Sequence, residues 1–162
     1  MNAMGKLIRI LTAMMIAELV APGLTLAAAP SITQEEAEKF VRSFYRDLQG
    51  DDLDKVMNYF DEPVDYYTLG KKDRVFIASE LARYIVLYPS RSLSIGAFKL
   101  KPSAASDRVT VHFDLYSLLR NPDRDATTSD HALMEWDLIK RDGTLKIVRF
   151  GGTAASERAK SP

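Results

Sequence analysis

Residues 48–62 read LQGDDLDKVMNYFDE, and this stretch marks the junction between two predicted helices. Gly50 suits the end of the first helix, because a residue without a Cβ fits the turn that follows a helix. Asp51 or Asp52 can then cap a second, short helix by accepting hydrogen bonds from its first backbone N–H groups. The apolar residues of this second helix share one face: Leu53, Val56, Met57 and Phe60.

A longer amphipathic helix is predicted before Gly50. Thr33 and Glu36 have the spacing of a capping box, and Ile32 is placed as a hydrophobic staple against Ala37. An apolar stripe with helical spacing follows, at Ala37, Phe40, Val41, Phe44 and Leu48.

A strand and a third helix are predicted after the junction. Residues 64–68 follow Pro63 and are rich in β-prone side chains. The third helix should begin after Asp73 and stop before Pro89, since proline disfavours helical backbone in the residue before it. Its apolar side consists of Ile77, Leu81, Tyr84, Ile85 and Tyr88.

From residue 93 the apolar pattern changes to a period of two, which is typical of strands. Four strands are predicted, at residues 93–100, 109–116, 133–139 and 145–150. The alternation slips near Gly96, which indicates a bulge, and Asp142 and Gly143 form a two-residue hairpin signal. Residues 120–129 form a polar loop. The order of elements predicts an α+β fold, with three N-terminal helices and a short strand packed on a curved antiparallel sheet of four further strands.

The composition fits one ordinary globular domain. The chain has 162 residues, 46% of them hydrophobic and 27% charged, which argues against wholesale disorder. Its 22 basic and 22 acidic residues leave no basic surface for a nucleic-acid partner. The absence of cysteine excludes disulfides, thiolate metal sites, cysteine nucleophiles and a lipobox-type anchor. No cofactor is expected.

Residues 1–28 have the pattern of a secretory signal peptide. Lys6 and Arg9 supply the basic start, residues 10–17 are free of charge, and small residues at 25–29 suit a signal peptidase. The cut is expected between Ala27 and Ala29, and the product would be periplasmic or secreted.

Two alternatives remain for this segment: an uncleaved membrane anchor and a cytosolic protein. Glu18, Pro22 and Gly23 would all fall inside an anchor's span of roughly 20 residues, which disfavours the anchor. We therefore expect no stable membrane span after cleavage, a domain over residues 29–152, and a disordered tail over residues 153–162.

The order of elements and two short motifs resemble the nuclear transport factor 2-like superfamily. A Gly-Asp-Leu-Asp-like turn corresponds to residues 50–54, and a Phe-then-acidic helix ending corresponds to Phe60 and Asp61. The resemblance covers residues 32–152. It implies a cone in which a curved sheet wraps the helices around a central cavity, with polyketide-cyclase-like and ketosteroid-isomerase-like relatives.

A second resemblance points to a subgroup of bacterial exported modules. It rests on residues 64–67, Gly70 and residues 88–91. The subgroup carries Arg-Trp-Pro-x-Arg where residues 87–91 of this chain read Leu-Tyr-Pro-Ser-Arg.

The resemblance implies two catalytic candidates, Asp65 and Tyr67. Ketosteroid-isomerase-like members use an aspartate base just after the second helix, and the corresponding position lies near Tyr67, with Asp65 two residues earlier on the same strand face. A tyrosine whose pKa stays near 10 is a poor base at neutral pH. Asp65 could replace it if an apolar wall raised its pKa; otherwise it is a solvated strand residue.

The charged residues of the later strands are expected to face away from the core. His112 and Asp114 alternate with apolar neighbours, as do Glu135 and Asp137. The four side chains could converge on a metal only if the strand register aligned them, so no metal site is predicted.

Aromatic residues give the strongest indication of a pocket, because tyrosine and tryptophan combine apolar walls with polar tips. The predicted ligand-binding residues are Tyr66, Tyr67, Tyr84, Trp136 and Arg149. The alternative is that the aromatic side chains only pack the core. Arg149 faces inward without a bulge and outward with one, and Arg91 is predicted to bond the free carbonyls that end the third helix.

The sequence thus predicts an exported, non-catalytic module that holds a small hydrophobic ligand or a protein partner, with homodimerisation through the sheet. The first alternative is a cofactor-independent isomerase, dehydratase or cyclase that uses a cavity carboxylate. The second is a component of cell-envelope assembly or secretion.

Overall fold

The structure is a computed structural model that describes residues 32–103, 107–124 and 126–155. The predicted signal peptide and residues 156–162 of the predicted tail lie outside these ranges. The helices of the described part are α1 (Gln34–Gln49), α2 (Leu53–Met57) and α3 (Arg74–Leu87), and a 3-10 turn covers Pro122–Arg124. The strands are β1 (Phe60–Tyr66), β2 (Lys71–Lys72), β3 (Ser90–Pro102), β4 (Arg108–Asn121), β5 (Ala126–Arg141) and β6 (Thr144–Ala154).

The helices begin where their capping residues predict. The side chain of Thr33 accepts a hydrogen bond from the backbone N–H of Glu36 at 3.1 Å, and Asp73 does the same for α3 at 2.8 Å. Asp52, the second of the two predicted alternatives, caps α2 at 3.0 Å. Only the end of α2 differs from the prediction, because Phe60 belongs to β1.

One mixed sheet of six strands, in the order β2-β1-β6-β5-β4-β3, forms the second layer. The α+β class is confirmed, but the sheet is larger than predicted. β1 joins it in parallel with β6, with Tyr66 opposite Phe150, and β2 pairs antiparallel with β1. Pairing between strands so distant in the sequence leaves no local signal, so the sequence pattern could not reveal it.

The predicted loop at residues 120–129 is wrong. β4 and β5 remain paired until Asn121 lies opposite Ala126, so only residues 122–125 connect them. Thr127 and Thr128 suit an exposed ladder because they are β-branched as well as polar. The polar residues of this segment therefore indicate that it is exposed to solvent, and they do not indicate that the strand ends.

Two local features of the sheet are confirmed. The pairing of β3 with β4 shifts register between Ile95 and Phe98, around the bulge expected near Gly96. Asp142 and Gly143 both have positive φ, 49° and 77°, as a tight hairpin turn requires. β6 continues to Ala154, two residues past the predicted domain boundary at 152.

An aromatic core joins the helices to one face of the sheet. Phe44 of α1 is fully buried and contacts Trp136 of β5 edge-on, with ring centroids 5.0 Å apart. Tyr45 stacks on the same indole at 5.6 Å. Burying a side chain of this size contributes about 1.5–3 kcal/mol to folding. Within the described ranges, no helix has both the length and the apolar content needed to cross a membrane.

Candidate functional site

A pocket of about 380 Å³ lies between α3 and the inner face of the sheet. We call it the tyrosine pocket, because five tyrosines from three segments line it: Tyr45, Tyr66, Tyr67, Tyr84 and Tyr88. Tyr45 comes from α1, Tyr66 ends β1 and Tyr67 follows it, and Tyr84 lies in the last turn of α3, with Tyr88 directly after that helix. The remaining wall is mostly apolar: Leu81, Leu87, Leu115, Met134 and Phe150.

Two adjacent tyrosines reach the pocket because the strand ends between them. β1 stops at Tyr66, and Tyr67 takes a left-handed conformation with φ of 49°. The N–H of Tyr67 donates a 2.7 Å hydrogen bond to the carbonyl of Phe150, which holds this turn against β6. A non-glycine residue in this region costs about 1–2 kcal/mol. The rings of Tyr66 and Tyr67 meet at 81°, with centroids 4.9 Å apart.

The same turn separates the two catalytic candidates. Asp65 alternates with the buried Val64 and Tyr66, and it pairs in register with Lys71 and Arg149. It is not among the residues that line the tyrosine pocket. Tyr67 does line it, so the assumption that both residues share a strand face is wrong, because the alternation breaks at φ 49°.

The hydroxyl of Tyr45 is a buried polar group without a partner. The residue is 4% exposed, and within the described part of the chain its hydroxyl makes no hydrogen bond. Leaving such a group unsatisfied costs about 1–3 kcal/mol. Burial raises the pKa of Tyr45 well above 10, so the phenol stays protonated and can both donate and accept. Tyr45, one of the lining residues, therefore carries an unused hydrogen-bonding group.

The other tyrosines of the pocket also stay neutral. Burial is the main cause that raises the pKa values of Tyr66, Tyr67 and Tyr84. For Tyr67, burial is the largest cause although 43% of the residue is exposed, and the neighbouring Tyr66 and Tyr84 raise its pKa further. These phenols are poor proton acceptors at neutral pH.

One ion pair borders the pocket. Glu80 and Arg83, both on α3, lie 2.9 Å apart, with 32% and 67% of their side chains exposed. After burial, the charge of Glu80 is the second cause that raises the pKa of Tyr66. The charge of Arg83 acts on Tyr66 in the opposite direction, so both members of the ion pair lie near the phenols, with Arg83 the more exposed of the two.

Arg91 fixes the end of α3 that carries Tyr84 and Tyr88. Its guanidinium donates to the carbonyl of Tyr88 at 2.8 Å and to the carbonyl of Leu48 at 2.6 Å, and it pairs with Asp51. The predicted bond to the α3 terminus is present. Arg91 also joins that terminus to the end of α1, which the sequence did not indicate.

Two predicted ligand-binding residues do not line the tyrosine pocket. Trp136 is fully buried in the core, and its indole N–H has no hydrogen-bond partner within the described residues. Arg149 faces the other side of the sheet, because a bulge shifts the β5–β6 register between Asp137 and Leu138. There Arg149 pairs with Asp137 at 3.0 Å and with Glu135 at 2.6 Å.

A second hollow of about 740 Å³, the outer groove, lies on this opposite face. His112 lies 3.5 Å from Glu135, and His131 lies 2.9 Å from Asp114, so both histidines have carboxylate neighbours on the outer face. Hydrogen bonds from Arg149 hold the carboxylate of Asp137. Over residues 32–103, 107–124 and 126–155, no three His, Asp or Glu side chains converge to hold a metal ion.

Solved structures identify the fold. A candidate scytalone dehydratase from Novosphingobium aromaticivorans superposes with a TM-score of 0.67 at 12% identity, over 74% of this chain and 81% of that one. The hexachlorocyclohexane dehydrochlorinase LinA-type3 from Novosphingobium barchaimii gives 0.60 at 13%, over 74% and 86%. The beta subunit of benzoate 1,2-dioxygenase from Burkholderia mallei gives 0.62 at 15%, over 82% and 97%.

These proteins share a cone-shaped architecture. The chain has the nuclear transport factor 2-like fold. At these identities the likeness establishes the fold alone, since one fold of this kind carries many functions. No family model matches the sequence, and no curated protein matches it either.

The sequence pattern did not point to three polar residues that line the tyrosine pocket: Tyr45, Glu80 and Arg83. Tyr45 lies four residues after Val41 and three before Leu48, so it could have been placed on the inner face of α1. Glu80 similarly follows Ile77 by three residues and precedes Tyr84 by four. Within a nuclear transport factor 2-like fold, a polar residue on the inner helix face indicates the cavity.

Proposed function

We propose that the protein is an exported, non-catalytic module that binds a small, largely apolar molecule in the tyrosine pocket. The observation that carries the proposal is the buried hydroxyl of Tyr45, which has no partner in the described chain and belongs to a residue that lines a mostly apolar pocket. A ligand with one hydrogen-bonding group would satisfy it and would recover the desolvation cost of that hydroxyl.

The dimensions and chemistry of the pocket support a ligand of modest size. A volume of about 380 Å³ lies within the range of small-molecule sites, which is about 300–1,000 Å³. Phenol rings bury much apolar area and lose little conformational entropy on binding. The proposal therefore concerns a molecule of roughly one or two rings or the equivalent in branched alkyl groups.

The placement of titratable groups favours binding over catalysis. The carboxylates with clearly shifted pKa values, Asp47 and Asp137, are not lining residues of the tyrosine pocket. Asp65 does not line the tyrosine pocket either. The phenols have raised pKa values, so they are weak bases. Among the described lining residues Glu80 is the single carboxylate, and it is already paired with Arg83.

A thermal-shift screen of small aromatic and branched alkyl molecules tests the binding proposal. We expect some of them to raise the melting temperature of the wild-type protein, and Leu115→Trp, which fills the pocket, to abolish the response. Leu118→Trp is the matched control, because Leu118 lies on the same strand but is 52% exposed. A screen without responders, or equal responses in both variants, would contradict the proposal.

Proton transfer by Glu80 is the second candidate function. Glu80 lines the pocket and lies close enough to Tyr66 to raise its pKa. Two of the structural neighbours are described as a dehydratase and a dehydrochlorinase, and both names imply elimination chemistry. Deuterium exchange into enolisable ketones, present in wild type and lost in Glu80→Gln, would favour this candidate over simple binding.

Export rests on residues 1–28, which lie outside the described ranges. We propose that a peptidase removes them and that the module acts in the periplasm or outside the cell. N-terminal sequencing of the protein from its own host tests this: a mature chain should begin at Ala28 or Ala29. A chain that retains Met1 would favour an anchor, as expected for an envelope assembly component. Homodimerisation through the outer sheet face stays a prediction, and sedimentation measures it directly.

A further inference from the structure

We propose that the ligand of the tyrosine pocket is an organic cation: a quaternary or tertiary ammonium with apolar substituents and a hydrogen-bonding group. This inference rests on the proposed function and narrows it to one class of ligand. Its basis is a single small pocket lined by several phenol rings and by one carboxylate, Glu80, whose partner Arg83 is largely exposed, together with the unpartnered hydroxyl of the lining residue Tyr45.

The rings are arranged as walls at right angles. Tyr66 stacks on Phe150 with 7° between their planes, and Tyr67 stands at 81° to Tyr66 and at 74° to Phe150. The face of an aromatic ring carries negative electrostatic potential, so a cation near two perpendicular faces is attracted by both. Aromatic cages of this kind suit alkylammonium groups because their methyl groups pack against the rings while the charge is spread over them.

Cations already lie near one ring of the pocket, Tyr84, and near Phe76, a ring that contacts Tyr66. The Nζ of Lys72 lies 4.8 Å from the ring centroid of Phe76, whose ring contacts Tyr66. The guanidinium of Arg91 lies 6.0 Å from the centre of the Tyr84 ring. Arg91 is paired with Asp51, so its charge is largely compensated.

Glu80 supplies the matching negative charge. Its present partner, Arg83, has a side chain that is 67% exposed, and an exposed pair of this type contributes at most about 1 kcal/mol. A ligand cation that enters between Glu80 and the rings can therefore replace Arg83 at small cost. The guanidinium can remain hydrated, since it already extends into solvent.

Tyr45 completes the recognition. Its hydroxyl is buried, unpartnered and protonated, so it can bind a hydroxyl or carbonyl group on the apolar part of the ligand. The ligand would thus carry its charge toward Glu80 and its polar uncharged group toward Tyr45.

A pair of isosteric probes tests the inference. Choline and 3,3-dimethylbutan-1-ol have the same shape and the same hydroxyl, but only choline carries a charge. We expect choline to bind the wild-type protein about 10- to 30-fold more tightly in an NMR titration, as desolvated cation–π attraction predicts. Indole serves as a neutral aromatic probe of the same pocket.

Variants separate the two contributions. Glu80→Gln should remove most of the preference for choline, whereas Glu38→Gln should leave it unchanged, since Glu38 forms a comparable ion pair with Arg42 on α1. Tyr84→Phe should retain the preference because it keeps the ring, and Tyr84→Leu should weaken choline binding at least about fivefold. Circular dichroism confirms that each variant is folded.

The outcomes are distinguishable. If the uncharged isostere or indole binds in the pocket and choline binds no better, the inference is overturned and the proposed function stands. If none of the three probes binds and Leu115→Trp changes nothing in the wider screen, both fail. Choline preference that survives both Glu80→Gln and Tyr84→Leu also overturns the inference, because the charge would then be recognised elsewhere.

Discussion

The hydroxyl of Tyr59 donates a 2.5 Å hydrogen bond to the carboxylate of Asp47 on α1. Two residues earlier on α1, the hydroxyl of Tyr45 is buried and has no partner within the described residues. The fold thus satisfies the hydroxyl of Tyr59 with a hydrogen bond, whereas the hydroxyl of Tyr45 has none within the described residues.

Removal of each hydroxyl should therefore have opposite consequences. We expect Tyr59→Phe to lower the free energy of unfolding by about 1–2 kcal/mol, because it removes the shorter of the two side-chain hydrogen bonds to Asp47. Tyr45→Phe should leave stability unchanged or raise it by up to about 1 kcal/mol, since it removes an unsatisfied polar group. Urea denaturation of both variants measures the difference. Equal destabilisation would show that the Tyr45 hydroxyl has a structural partner.

Loss of Arg91 should disturb the whole pocket. Its side chain is 1% exposed and bonds the carbonyls that end α1 and α3. We expect Arg91→Met to cost about 2–4 kcal/mol, because those acceptors lose their donor. Arg42→Met is the control, since Arg42 forms a half-exposed surface pair that contributes less than about 1 kcal/mol. Similar losses in both variants would exclude the anchoring role of Arg91.

Gly152 should tolerate no side chain, in contrast to its neighbour Gly151. A Cβ on Gly152 would lie 2.6 Å from the sulfur of Met134 and 3.1 Å from the carbonyl of Leu133. A Cβ on Gly151 would meet its nearest atom, the carbonyl oxygen of Glu135, at an ordinary 3.4 Å. We expect Gly152→Ala to destabilise the protein by about 1–3 kcal/mol and Gly151→Ala by far less. Thermal melting of the two variants tests this, and the reverse order would refute the packing described for β6.

Acid should destabilise the protein through two carboxylates. Burial raises the pKa of Asp47, but hydrogen bonds from Tyr59 and Arg46 outweigh it and leave the pKa below 3.8. The pKa of Asp137 is lowered in the same way, because hydrogen bonds from Arg149 and Thr110 outweigh the effect of burial. A carboxyl with a lowered folded-state pKa stabilises above its unfolded pKa of about 3.9, and this contribution is lost as the pH falls through the folded value.

The free energy of unfolding should therefore fall as the pH drops from about 5 toward 3 and below. Asp47→Asn and Asp137→Asn should each flatten that decline. At the alkaline end, burial and Asp47 raise the pKa of Tyr59 to about 12. The stabilisation that the protonated Tyr59 hydroxyl gives the folded state is fully present below pH 10 and is lost as the pH rises through about 12. Urea denaturation across this pH range measures the free energy of unfolding at both the acid and the alkaline end. If its decline in acid is unchanged in Asp47→Asn and in Asp137→Asn, these two carboxylates are not its cause.

Local patterns predicted most of the elements of this fold. Capping residues such as Thr33 and Asp73 act within one turn of their own helix, so their effect is visible in a short window of sequence. The Asp142–Gly143 hairpin is local for the same reason. The parallel pairing of β1 with β6 is not, because residues some 85 positions apart meet there, as Tyr66 meets Phe150.

The tyrosine pocket was predicted in part. Tyr66, Tyr67 and Tyr84 were recognised as aromatic residues on segments that a cone would bring together. The sequence pattern could not predict where the side chains of Arg149 and Trp136 lie. A single bulge in β6 decides which side of the sheet Arg149 faces. Packing from both the helices and the sheet buries Trp136 completely. Asp65 was misplaced relative to Tyr67 because one left-handed residue interrupts the strand alternation.

Native mass spectrometry of the protein purified from its own host can detect a molecule held in the tyrosine pocket. We expect a non-covalent small-molecule adduct on the wild-type protein and on Leu118→Trp, and its loss from Leu115→Trp. An adduct retained equally by Leu115→Trp, or a wild-type protein that carries none and binds none of the screened molecules, would contradict the binding proposal.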